Sequence, residues 1–232
     1  MYYADRGVMK LFQNARAHAD GDAMTEFMFD GPAEAQHGII LAHGAGAPMD
    51  NPFMIAFAEG IAAAGIRVAR FEFSYMCRRR EDGRRRPPDR APALIECWQT
   101  TVEQVVQMGL PRENLFIGGK SLGGRIASMI ADDAGVAGLV CLGYPFHPSG
   151  KPERTRVDHL QFLRTPTLVV QGERDSLGTL EDVEDYALSP AIHLHWLTDG
   201  DHSFKPRKVS GRTEQQNWEE GIAAVVGFVN GR

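Results

Sequence analysis

Cysteine is scarce. Only Cys77, Cys97 and Cys141 occur in 232 residues, far apart, odd in number and without a C-x-x-C pair. That pattern excludes a disulfide framework and a zinc ribbon and predicts reduced thiols with no disulfide and no zinc; no other metal and no cofactor is expected either. Long hydrophobic runs are missing too. No stretch approaches the roughly 20 apolar residues of a membrane-spanning helix. The first 20 residues lack the apolar core of a secretory signal, so the chain is expected to be cytoplasmic, with no membrane partner. Nor is there an excess of positive charge: 25 Lys and Arg stand against 30 Asp and Glu, a net charge of −5, which argues against nucleic acid as the partner. Repeats and Pro/Gly/Ser-rich linkers are absent as well. The expected organisation is one domain over 1–232, with residues 1–22 a polar peripheral segment.

What is present is an alternation of short apolar runs and amphipathic stretches. Residues 24–30 alternate as a half-buried strand does. Residues 38–42, 66–73, 136–142, 167–171 and 192–197, together with a run starting at Leu115, are continuous apolar strands. Helices fall between them. One starts at Asn51-Pro52, an N-cap followed by proline at the first helical position. Another covers 92–108, with Leu94, Trp98, Thr101 or Val102, Val105 and Met108 on one face. Further helices span 122–131 and a short piece near 157–163. Thr179 with Asp182, and Thr213 with Gln216, are capping pairs, the second opening a helix with Trp218, Ile222, Val225 and Val229 as its buried stripe. Continuous strands separated by helices predict an α/β fold, a mostly parallel sheet covered on both faces. The segment 143–165 is too short for a large cap. In such a sheet the site lies beyond the carboxyl ends of the strands.

Those ends carry the chemistry-bearing residues. The run from Leu115 enters Gly119-Lys120-Ser121-Leu122-Gly123, a G-x-S-x-G pattern between a strand and a helix. A serine on that sharp turn exposes its hydroxyl, which makes Ser121 the candidate nucleophile; the bland alternative is an ordinary serine in a tight connection. A phosphate loop requires glycine where Asn114 stands and is rejected. A serine needs a base oriented by an acid. His202 follows the last strand, with a structural role in a polar loop as its alternative. Asp175 follows the preceding strand, with Glu173 as rival and a surface ion pair as the bland reading. Asp201, adjacent to His202, is expected to point away from it, and His193 and His195 share one strand face suited to packing. The backbone N–H of Leu122 and that of Ala45, in the loop His43-Gly44-Ala45-Gly46, are the candidate oxyanion donors, unless that loop is simply a turn. Its G-x-G start lacks the third glycine of a dinucleotide fingerprint, Met49 standing there instead. His43 and His147 are candidates to line the pocket.

Seven arginines crowd residues 78–90. A solvated charged loop is one reading. A second has Arg84, Arg85 and Arg86 overhang the pocket and attract an anionic substrate. A nucleic-acid contact is the third.

Several of these stretches together resemble the α/β-hydrolase superfamily, from about Met24 onward. Gly118-Gly119-Lys120-Ser121-Leu122-Gly123-Gly124-Arg125, the His43-Gly44-Ala45-Gly46 loop, Arg85-Arg86-Pro87-Pro88 and Gln171-Gly172-Glu173-Arg174-Asp175 are similar to a narrower, dienelactone-hydrolase-like branch. That branch also holds a testis-expressed protein and a histone-acetyltransferase-complex subunit. The resemblance implies an eight-stranded-type sheet, a Ser121, Asp175 and His202 triad, and Leu122 with Ala45 as oxyanion donors. Dienelactone hydrolases proper carry cysteine at the nucleophile position; Ser121 stands here, so their substrate is not implied. The expected activity is cleavage of a small carboxylic ester or thioester. A non-catalytic scaffold for protein interaction is the alternative from another class, and neither reading fixes the oligomeric state.

Overall fold

The computed structural model describes residues 26–232; the peripheral segment 1–22, and Met24 and Thr25 of the first expected strand, lie outside them. Seven strands form one sheet: β1 (Phe27–Asp30), β2 (Gly38–Ala42), β3 (Arg67–Phe71), β4 (Leu115–Lys120), β5 (Gly138–Leu142), β6 (Thr167–Gly172) and β7 (Ile192–Leu197). Their order across the sheet is β1-β3-β2-β4-β5-β6-β7. Only the β1–β3 pair is antiparallel, Phe27 facing Phe71; every other pair is parallel. This is the α/β-hydrolase arrangement without a large cap. The described residues hold seven strands where the resemblance implied an eight-stranded type.

Strand side chains alternate between two cores, as the period of two demands. Ile40, Ile117, Leu139 and Val169 face one helical layer, formed by α3 (Ala91–Gln107) and α4 (Leu122–Ser128). Ile39, Phe116, Val140 and Val170 face the other, formed by α1 (Pro52–Ala63) and α7 (Glu214–Asn230). Because both faces are covered, the central strands carry apolar residues at nearly every position. The caps stand where the sequence puts them. Asn51 accepts from the N–H groups of Phe53 and Met54. Thr179 with Asp182, at the start of α6 (Leu180–Glu184), and Thr213 with Gln216 form reciprocal capping boxes.

Three expectations need correction. The arginine-rich segment does not start as a loop: Ser74–Asp82 is helix α2, closed by Gly83 in the left-handed conformation at φ 70°. Only Tyr75 and Met76 of α2 are buried, so it has no apolar stripe for the sequence to display. The helix expected over 122–131 breaks after Ser128, where Met129 and Ile130 bond only three residues back, and resumes as α5 (Ala131–Ala134). On α7 the buried line is Asn217, Gly221, Val225 and Val229; Trp218 and Ile222 flank it, half-buried. Among the described residues no helix is long and apolar enough to cross a membrane.

Candidate active site

The turn between β4 and α4 is tight because its neighbours leave no room for side chains. A Cβ on Gly119 would sit 2.1 Å from the Ala42 carbonyl oxygen, and one on Gly123 would sit 2.5 Å from it. Gly119 also adopts φ +148°, which an L side chain resists. Between them Ser121 is held at φ 51°, ψ −109°, a conformation that costs on the order of 1–3 kcal/mol and persists only where its surroundings over-determine it. Its N–H donates to Leu142 on β5 at 3.0 Å, and its carbonyl accepts from Arg125 at 2.9 Å. Leu122 is the first residue of α4, where an N–H has no acceptor within the helix.

Three loops then converge. The Nε2 atom of His202 lies 3.0 Å from the Ser121 Oγ, and its Nδ1 lies 2.7 Å from the Asp175 Oδ2. Asp175 is fully buried. Its Oδ1 accepts from the Leu177 N–H at 2.9 Å, and its Oδ2 also accepts from the Gln171 Nε2 at 3.0 Å. A carboxylate fixed by these donors holds the proton of the imidazole on Nδ1 and leaves Nε2 free to accept from the serine hydroxyl. Glu173, the rival acid, accepts from the Asp199 N–H at 2.7 Å instead. Asp201 turns onto the N–H groups of Ser203 and Lys205. His195 faces Glu220 of α7 at 3.3 Å.

The loop carrying His202 is strained and anchored. Asp199 and Phe204 both have positive φ, 53° and 69°. Asp199 accepts from Arg207 and Arg174, while the buried Asn217 of α7 donates to the carbonyls of Thr198 at 3.1 Å and Phe204 at 2.8 Å. Lys120, directly before the serine, donates its Nζ to the His202 carbonyl. Its ammonium also lies 5.4 Å from the ring centres of both Phe53 and Phe204. Burial pushes the Lys120 pKa down to about 8, against the opposing pull of Asp175 and Asp201. Lys120 thus ties the two loops that carry Ser121 and His202. Nothing in the sequence marks Lys120, Asn217 or Gln171 as anchors of this site.

The loop after β2 lies beside the serine: a Cβ on Gly44 would come 3.8 Å from the Ser121 Cβ. His43 is fully buried. Its Nε2 accepts from the Phe73 N–H at 3.2 Å, and its Nδ1 contacts the Gly44 carbonyl at 2.6 Å. Burial lowers its pKa, in keeping with a neutral ring. The Tyr75 hydroxyl donates to the Ala45 carbonyl at 3.1 Å. Since the Gly44 carbonyl is held by His43, the Ala45 N–H, trans to it across the same planar peptide, points away from His43. His147 is also buried, its nitrogens engaged by the Pro148 carbonyl at 3.0 Å and Asp182 at 3.3 Å. Both histidines named as pocket-lining candidates therefore have their rings committed to structure.

Three of the seven arginines are ion-paired. Arg78 bonds Asp89, Arg80 bonds Glu72 and Asp50, and Arg86 bonds Asp82. Arg79 donates to the Gly46 carbonyl at 3.0 Å, joining α2 to the loop after β2. Arg84 and Arg85 are exposed. Among the described residues there is no cluster of three or more His, Cys, Asp or Glu side chains able to hold a metal. A surface groove lined by Gly60, Trp218 and Ile222, between α1 and α7, contains none of the convergent side chains.

Residues 35–230 match the family described as an alpha/beta hydrolase domain, and the chain belongs to that family. Its fold is similar to an alpha-beta serine hydrolase homologue from Coxiella burnetii, with 17% identity, coverage of 97% of this chain and 98% of the other, and a TM-score of 0.68. A dienelactone hydrolase from Anabaena variabilis is similar at 18% identity over 91% of this chain and 96% of that one, with a TM-score of 0.68. A serine hydrolase without lid from Xanthomonas campestris gives 18%, 91%, 94% and 0.63 for the same measures. At these identities the likeness is one of fold.

Proposed function

We propose that this protein is a serine hydrolase acting on a small carboxylic ester or thioester through an acyl-enzyme. The carrying observation is the continuous chain from Ser121 Oγ to His202 Nε2 at 3.0 Å and from His202 Nδ1 to Asp175 at 2.7 Å, on a strained turn at the strand ends. In this reading Ser121 attacks the acyl carbon while His202 takes its proton, and Asp175 holds the imidazole and stabilises the imidazolium. The N–H groups of Leu122 and Ala45 receive the oxyanion. His202 returns the proton to the leaving alcohol or thiol. It then activates water, which cleaves the acyl-enzyme and regenerates the serine. No step draws on a cofactor.

The family membership supports hydrolysis as the reaction class. The lack of a large cap supports a small or flexible substrate at an open site. Arg84 and Arg85, exposed and unpaired among the described residues, with Arg86 beside them, support attraction of an anionic substrate. The free thiols support a cytoplasmic setting. Stopped-flow hydrolysis of 4-nitrophenyl acetate and of short acyl thioesters tests the reading. A burst of about one equivalent of product, absent in Ser121→Ala, is expected. Wild-type protein that turns over none of the panel contradicts it.

A further inference from the structure

Beside the nucleophile's helix lies a group of cations that the proposed chemistry leaves unused. Arg125 sits one turn along α4 from Ser121, its N–H on the serine carbonyl at 2.9 Å, which places its backbone about 6 Å along the axis. Its Nε is buried and has no hydrogen-bond partner. Arg156 is half-buried on the segment that follows β5. Its N–H bonds the Phe146 carbonyl at 2.7 Å, and its carbonyl accepts the Tyr144 hydroxyl at 3.0 Å. The Ser128 hydroxyl bridges this helix to the segment after β5, donating to the Arg125 carbonyl at 2.7 Å and contacting the His159 Nε2 at 2.8 Å. Tyr144 in turn is held at its N–H and carbonyl by Gln171, the side chain that also fixes Asp175. The group is thus built into the same framework as the candidate triad.

Among the described residues no carboxylate pairs with Arg125 or Arg156. Arg164, on the same connecting segment, does have its acid, Asp132. Burial together with the like charge of Arg125 pushes both Arg156 and His159 down. Two guanidinium groups, partly withdrawn from water and repelling each other, are a poor arrangement unless an anion comes between them. Their forked donors suit a carboxylate or phosphate.

We propose that Arg125 and Arg156 form an anion-binding subsite that receives a second, negatively charged group of the substrate, a carboxylate or phosphate carried beyond the scissile bond. This rests on the reading of Ser121 as nucleophile and narrows the substrate class to acidic esters or thioesters. The anion would complete both forks and hold the acyl carbon in register with the serine one turn away.

The test separates binding from chemistry. Ser121→Ala protein is titrated with succinate and, separately, inorganic phosphate, following thermal stability against sodium chloride of matched ionic strength. A saturable rise in Tm is expected with at least one anion, removed by Arg156→Met and by Arg125→Met; the stronger ligand identifies the charged group. The Arg156 variant serves if Arg125→Met fails to fold. In Ser121-containing protein, Arg156→Met lowers kcat/KM for 4-nitrophenyl hemisuccinate by at least about tenfold relative to 4-nitrophenyl acetate. No anion-dependent shift, or one that survives the Arg156 substitution, overturns the subsite. An intact shift in a protein that turns over none of the esters or thioesters sinks the hydrolase reading and leaves the anion site standing.

Discussion

Replacing Lys120 with methionine removes the charge that joins the serine turn to the histidine loop while keeping most of the apolar stem. In the folded protein burial brings the lysine pKa from 10.5 to about 8. At pH 7.5 both folded and unfolded chains hold the proton, so folding bears the whole cost of burying the ammonium. That cost is about 3 kcal/mol for a shift of this size. Between pH 8 and 10.5 the unfolded chain binds more protons than the folded one, and the contribution of Lys120 to stability therefore rises with pH. Urea unfolding at pH 7.5 and pH 10 should show wild type gaining about 2 kcal/mol relative to Lys120→Met over that interval. Activity should move the other way: at pH 7.5 the variant loses about tenfold in kcat with KM little changed, since the bond that is lost holds the His202 carbonyl. The wild-type advantage in kcat should narrow above pH 8 as the ammonium is lost. A stability difference that stays flat with pH, or a loss confined to KM, refutes the reasoning.

Asp175→Asn leaves the space filled but allows the imidazole to present the wrong nitrogen; a loss of roughly 10⁴ in kcat with a near-native Tm is expected from ester hydrolysis and thermal melts. Gly119→Ala drives a Cβ to 2.1 Å from the Ala42 oxygen at an unsuitable φ; chemical denaturation should show more than about 2 kcal/mol of destabilisation. Tyr75→Phe frees the Ala45 carbonyl; kcat should fall several-fold, by about 1 kcal/mol of transition-state stabilisation, with KM unchanged in steady-state kinetics.

The alternation of strands and helices was legible because parallel strands covered on both faces must be continuously apolar, and because Asn51, Thr179 and Thr213 mark helix starts chemically. Helix α2 was not legible. It buries only Tyr75 and Met76 and ends on a run of arginines, so no periodic signal separates it from a charged loop. The meeting of Ser121, Asp175 and His202 could be anticipated because each stands where a strand ends. The supports of that site could not. Lys120 reaches the His202 carbonyl across 82 residues, and Asn217 reaches back from α7 to Thr198 and Phe204. Such bonds go to backbone atoms, which leave no mark in the sequence of the partner. His43, directly after β2, and His147, in Pro145-Phe146-His147-Pro148, read as pocket candidates, yet each ring is engaged by nearby acceptors and donors. Arg125 carries no separate signal in the sequence, because it lies inside the motif around Ser121 and is set apart only by a buried Nε without a partner.

The central claim is that Ser121 is an activated nucleophile, and intact mass after exposure to a fluorophosphonate probe tests it most directly. Wild type should gain one adduct; Ser121→Ala should gain none, and His202→Ala should label far more slowly, since the serine then lacks its base. A folded wild-type protein that remains unlabelled, or an adduct that persists in Ser121→Ala, would contradict the account.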